Sequence, residues 1–280
     1  MTGLPMSGLK DFSGTLVLVG AGKMGGAMLE GWLKSGADPK KIVVLDPFAS
    51  GEMKALLARH KVSLNPAIAS ITNAEVVLIA VKPQMMEEVL PTVVGLGASK
   101  PLILSVAAGK TIASFERHFG KSAAIIRTIP NTPASIGRGI TAISANANVS
   151  AAQMKLAKDL LSAIGEVVTV DREELIDSVT AVSGSGPAYV FYMTECLAAA
   201  AEKLGLPPAL AMQLARTTVA GSGELMRVSG TEAATLRQNV TSPNGTTHAA
   251  LQVLMATDGL QPLFERAVKA AADRSRELAS

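Results

Sequence analysis

The sequence predicts an α/β sheet domain followed by an all-helical domain, and three observations carry that prediction. Short β-branched runs alternate with helical stretches through the first 170 residues. A glycine-rich turn joins the first of those runs to the first helix. After Asp171 the strand pattern stops and only helical patterns follow.

Residues 15–19 read as the first strand, and a helix over 23–35 follows the glycine turn, closed by Gly36 as its C-cap. A second strand is expected at 42–45 and a helix at 52–60. The run 76–80 is fully apolar and bounded by Pro83, and 102–106, 124–129 and 140–144 continue the series. Ser150 reads as the N-cap of a helix ending near Gly165, with a last strand at 166–170. Continuous apolar strands separated by helices imply a parallel sheet covered on both faces. Helices are then expected at 173–182, 187–204, 208–227, 231–239, 246–257 and 261–278. Gly205 stops one and Pro207-Pro208 starts the next, the usual asymmetry of helix ends. The boundary is placed between 170 and 171, giving a sheet domain over 1–170 and a helical domain over 171–280.

Aromatic residues make up only 3% of a chain that is 48% hydrophobic, so the core must be built from Ala, Val, Leu, Ile and Met. Leu197-Ala198-Ala199-Ala200-Ala201 lies in a helix apolar on more than one face, which needs wide burial. A second copy of the chain is the expected cover; a deep position within its own chain is the alternative. The formal charge is +3, but Lys and Arg are scattered, which argues against nucleic acid as a partner. The mild surplus helps attract an anionic cofactor and substrate. One cysteine, Cys196, excludes an intrachain disulfide and suits a cytoplasmic protein. Residues 1–13 carry no long apolar stretch, so no signal peptide is expected, and no apolar run is long enough to suggest a membrane span.

Gly20-Ala21-Gly22-Lys23-Met24-Gly25 fits G-x-G-x-x-G between a strand and a helix, the context of a Rossmann-like dinucleotide-binding domain. Gly20 permits the tight turn, Gly22 lets the backbone approach a pyrophosphate, and Gly25 allows close helix–strand packing. The helix N-terminus then offers free N–H groups to the phosphates. Asp46 ends the second strand, where an acidic residue holds the adenosine ribose of NADH and repels the 2′-phosphate of NADPH; a plain turn aspartate before Pro47 is the competing reading. Ala80-Val81-Lys82-Pro83 and Ser105-Val106-Ala107-Ala108-Gly109 end strands at the carboxyl edge of the sheet, where such sheets bind ligands. Pro130-Asn131-Thr132-Pro133 is a rigid loop at a third strand end, and each of these ends has the ordinary alternative of a simple turn. Thr241-Ser242-Pro243-Asn244-Gly245-Thr246-Thr247 joins two helices; its backbone N–H groups at Gly245 and Thr246 suit a carboxylate, and an N-cap loop is the plain alternative.

These segments, with Arg127-Thr128-Ile129 before the Pro130 loop and Ser183-Gly184-Ser185-Gly186-Pro187-Ala188-Tyr189, resemble the pyrroline-5-carboxylate reductase family in order and over nearly the whole chain. The resemblance implies a nucleotide-binding domain, a helical domain that interlocks two subunits, and dimers that assemble further into rings. It implies hydride transfer from NADPH or NADH to the C=N bond of Δ1-pyrroline-5-carboxylate, the last step of proline biosynthesis. It places the substrate carboxylate on Ser242, Gly245 and Thr246, the Thr247 hydroxyl near the ring nitrogen, Glu173 beside the proline site, and Asn65 and Asn239 on the cofactor. The cofactor set on this reading is Gly20, Ala21, Gly22, Lys23, Met24, Gly25, Asp46, Asn65, Ala80, Val81, Lys82, Pro83, Ala107, Ala108 and Asn239. There are three departures from the family pattern: Asn244 stands for a glycine, Glu232-Ala233 for a His-Pro pair, and Asp46 for small or basic residues.

His60, His118 and His248 lie far apart, so no metal site is expected; His248, next to Thr247, is a minor catalytic candidate. Without a nucleophile–base pair, catalysis is expected to work by positioning a protonated imine. A β-hydroxyacid dehydrogenase would need a lysine base on a helix of the second half, and no Gly-x-x-x-Lys occurs there. A non-catalytic redox sensor would have no use for the hydroxyl-rich loop at 241–247.

Overall fold

The computed structural model describes residues 9, 12–107 and 109–279. Eight strands in these residues form one sheet: β1 (Thr15–Val19), β2 (Ile42–Leu45), β3 (Ser63–Leu64), β4 (Ala74–Ile79), β5 (Leu102–Ser105), β6 (Ala124–Ile129), β7 (Gly139–Ala145) and β8 (Gly165–Thr169). Their order is β3-β2-β1-β4-β5-β6-β7-β8. The helices that alternate with them are α1 (Lys23–Lys34), α2 (Gly51–His60), α3 (Met86–Val93), α4 (Ile112–Phe119), α5 (Ala151–Leu161) and α6 (Leu175–Val179). Caps fall where the sequence placed them. Ser150 bonds the N–H of Gln153, whose side chain bonds back, and Gly36 takes φ 88° after α1.

The alternation of side chains along β1 divides the core in two. Leu16 and Leu18 pack with Trp32 and Leu78 on one face, and Val17 and Val19 with Val77 and Phe115 on the other. Each such side chain, fully buried, contributes about 1.5–3 kcal/mol. Trp32 is completely buried, and its indole N–H donates to the Leu160 carbonyl at 2.9 Å, tying α1 to α5.

The sheet is not wholly parallel. β6 and β7 pair antiparallel, while every other neighbouring pair is parallel. A parallel return needs a long crossover, and only the short loop 130–138 separates these two strands.

The chain divides into two compact units, residues 1–184 with 272–280 and residues 185–271. The sequence boundary at 170 falls within the first, at the end of β8. The second unit holds α7 (Gly186–Lys203), α8 (Pro208–Ser229), α9 (Ala233–Asn239), α10 (Thr246–Leu254) and most of α11 (Leu260–Ala279). Here α7 packs on α8 through small residues, with Ala198, Ala211 and Ala215 buried, and Tyr189 meets Phe264 edge-on at 6.3 Å. Other apolar side chains of α7 are open: Phe191 is 61% exposed and Tyr192 67%. Among the described residues, α7 therefore does not receive the deep burial its sequence asks for. Among the described residues no helix is long and apolar enough to cross a membrane.

Candidate nucleotide cleft and substrate loop

Between β1 and β4 the strand order reverses, and the loops leaving these strands form the crevice where open α/β sheets hold ligands. The Gly20 N–H bonds the Leu45 carbonyl, and the Ala80 N–H bonds the Val19 carbonyl at 2.7 Å, drawing three strand ends together. Gly20 turns with φ 90°, and a Cβ there would lie 2.9 Å from the Ala80 carbonyl oxygen. A Cβ on Gly25 would overlap the Gly20 carbonyl and press on Ala80. Beside Gly22, the N-cap of α1, nothing lies within 4 Å of where a Cβ would be. Two glycines thus permit close packing, and the third leaves open space before free helix amides, a shape that fits a pyrophosphate.

A cleft of about 750 Å³ opens here, lined by Gly20, Gly22, Asp46, Asn65, Ala80, Val81 and Lys82. A second, of about 990 Å³, adjoins it and adds Ala21 and Lys23. Lys82 is extended at the strand end, with ψ 145°, as Pro83 requires. Met24, Gly25, Pro83 and Ala107 do not line these clefts, and Ala108 lies outside the described residues. Asp46 is braced on all sides. Its carboxylate accepts the Ala21 N–H at 2.8 Å and the Phe48 N–H at 2.9 Å. Asn65, held at φ 51°, bonds the Asp46 N–H at 2.7 Å and its carbonyl at 3.0 Å, as a neighbouring strand would.

Glu173 precedes α6, and one of its oxygens, Oε1, accepts both the Ile112 N–H at 2.8 Å and Arg127 Nη1 at 2.9 Å. Arg127 received no role from the sequence beyond its place in a family segment. The available signal was its charge in the otherwise apolar run Ala-Ile-Ile-Arg-Thr-Ile.

In the second unit, Asn244 adopts φ 59°, the left-handed turn that the missing glycine would make. The Gly245 N–H donates to the Ser242 carbonyl at 3.1 Å, so this amide closes the turn. Gly245 caps α10, whose first amides have no intrahelical acceptor. Thr247 is half-buried, while Ser242 and Thr246 are exposed. His248 pairs with Gln252 at 3.2 Å on the same helix, and Asn239 is exposed at the end of α9.

Comparison with known proteins adds a second line. The family described as pyrroline-5-carboxylate reductase dimerisation matches residues 173–278, and that described as NADP oxidoreductase coenzyme F420-dependent matches residues 15–109. Pyrroline-5-carboxylate reductase of Pseudomonas aeruginosa is 40% identical over 266 residues, covering 94% of this chain and 96% of its own. That of Synechocystis is 41% identical over 265 residues, covering 94% and 97%. Among solved structures, pyrroline-5-carboxylate reductase from Coxiella burnetii superposes with a TM-score of 0.89 at 34% identity, over 96% of this chain and all of that one. The Plasmodium falciparum pyrroline carboxylate reductase with NADP bound gives 0.80 at 26% identity, over 98% of this chain.

Proposed function

The chain belongs to the pyrroline-5-carboxylate reductase family, and on that premise we infer that it reduces the C=N bond of Δ1-pyrroline-5-carboxylate to L-proline with a nicotinamide dinucleotide. The observation that carries the reading is the glycine turn, open at Gly22, at the switch point of the sheet. When bound, the cofactor supplies the hydride that the imine carbon accepts.

The amides of Gly22 and the first turn of α1 hold the pyrophosphate, with Lys23 adding charge there. Asp46 and Asn65 shape the adenosine end. Ala80, Val81, Lys82 and Ala107 are the small or extended strand ends near the nicotinamide. Ser242 and the amides opening α10, Thr246 foremost, clamp the substrate carboxylate, aided by the helix dipole. Because the Gly245 amide is spent on the turn, Gly245 contributes shape more than a donor. The Thr247 hydroxyl bonds the ring nitrogen as its positive charge is lost, and Glu173 lines the proline site. Rate then comes from orientation and from donors fixed in advance.

Asp46 tilts the cofactor choice toward NADH, because its carboxylate is pinned at the cleft wall by two backbone amides and cannot swing away from a 2′-phosphate. The open apolar side chains of α7 pair with a second copy of the chain, forming a homodimer of the cytoplasm. The test is a coupled assay on purified protein. Cofactor oxidation should match L-proline formed, mole for mole; oxidation of β-hydroxy acids with NAD+, and no proline, would overturn the reading.

A further inference from the structure

Strand β6 carries a charge where its pattern calls for none. All of its residues are buried, and Arg127 is only 2% exposed. A guanidinium is tolerated in such a place only when paired. Its partners are Glu173, at 2.9 Å, and Asp177, whose Oδ1 lies 3.8 Å from Nη2. The two carboxylates are four residues apart, which brings them to one face of the chain entering α6. Arg127 Nε and Nη2 have no hydrogen-bond partner among the described residues, so the bond to Glu173 is the one that holds it.

That bond shares an oxygen with a second one. Glu173 Oε1 also accepts the Ile112 N–H, an amide at the start of α4 with no acceptor in its own helix. α4 follows directly on the loop that leaves β5 at the edge of the sheet, of which residues 106, 107 and 109–111 are described. Other braces converge on this loop. Thr128 Oγ1 donates to the Ser105 carbonyl at 2.9 Å, and the Ala107 N–H donates to Ser105 Oγ at 3.3 Å. A Cβ on Gly109 would lie 3.1 Å from the carbonyl oxygen of Leu278, in the last turns of α11. Ser275, one helical turn earlier, donates to Asp177 Oδ1 at 2.6 Å. With Oε1 doubly engaged, the Glu173 carboxylate, whose side chain is 26% exposed, is fixed in the direction its other oxygen points.

We propose that Arg127 is a positioning residue for the reduction, acting through Glu173 to hold the described residues of that loop and the start of α4, and to aim the second oxygen of Glu173. The proposal rests on the reading above of that loop and of Glu173 as parts of the nicotinamide and substrate sites. It assigns Arg127 no contact with either ligand.

The test uses full-length Arg127→Lys, Arg127→Met and Glu173→Ala, with amide hydrogen exchange on the ligand-free proteins and steady-state kinetics on the same preparations. In Arg127→Met, exchange across 106–112 should quicken about tenfold or more while β1 stays as protected as in the wild type. Its kcat should fall about 10- to 100-fold, with the dissociation constant for cofactor within about threefold of wild type. Arg127→Lys, which keeps the charge and one donor, should recover most of both. Should Arg127→Met not fold, Glu173→Ala, which removes the shared acceptor oxygen, must show the same quickened loop. Unchanged exchange at 106–112, or exchange quickened equally in β1, overturns the proposal. A loop that responds as described in a wild-type protein that makes no proline overturns the function read above and leaves the clamp standing.

Discussion

Replacing Asp46 by serine should shift the cofactor preference toward NADPH. The carboxylate is half-buried at the wall of the cleft, and its two oxygens accept the Ala21 and Phe48 amides at 2.8 and 2.9 Å. Those bonds fix its charge beside the glycine turn proposed to receive the pyrophosphate. At a separation of about 5 Å, a unit charge on a 2′-phosphate is repelled by about 0.8 kcal/mol in water and about 3 kcal/mol at an effective dielectric of about 20. Serine removes the charge, and whatever bracing is lost with the two amide bonds is common to both cofactors, so it cancels in their ratio. The ratio of kcat/KM for NADPH to that for NADH should therefore rise in Asp46→Ser by about 5- to 150-fold, the equivalent of about 1–3 kcal/mol. Asp46→Asn should give a similar ratio, because the effect lies in charge and not in shape. Initial rates with each cofactor at saturating pyrroline-5-carboxylate provide the measurement. A ratio unchanged within about twofold, with both values lowered together, would mean that Asp46 only braces the glycine turn, as a turn aspartate does.

Three further outcomes are expected. Thr247→Ala should lower kcat by roughly 100-fold while cofactor binding holds, since one hydrogen bond made in the transition state is lost; unchanged turnover would remove Thr247 from the mechanism. Gly25→Ala puts a methyl group into the Gly20 carbonyl and against Ala80. It should destabilise the fold by about 1–3 kcal/mol, read as a melting temperature lower by about 2–10 °C, and weaken cofactor binding. Phe191→Glu places a charge on the open apolar side of α7, and light scattering should then show the mass of a single chain where the wild type shows at least two.

The strands were legible because a buried parallel strand needs an unbroken apolar run, and Leu16 to Val19 or Val76 to Ile79 can serve little else. The glycine turn was legible for a related reason: each glycine answers a separate steric demand, and the structure shows Gly20 and Gly25 meeting theirs. Other features were hidden by their own physics. α3 contains Pro91, which reads as a breaker, and β3 is only two residues long. The reversal at β7 depends on a loop too short to cross the sheet, a matter of geometry that composition does not carry. Asn65 was assigned to the cofactor through resemblance, but its pairing with the Asp46 backbone depends on φ 51°, a value no pattern announces. Arg127 and Ile112 meet at Glu173 across 46 and 61 residues, so that junction exists only once the sheet has formed.

The central claim is that a hydride passes directly from the nicotinamide to the imine carbon. It is tested by supplying cofactor deuterated at one or the other face of C4 and weighing the proline produced. One of the two cofactors should place a single deuterium on the ring carbon that becomes Cδ of proline, and the other none. Unlabelled proline from both, or label appearing only from deuterated solvent, would contradict the account.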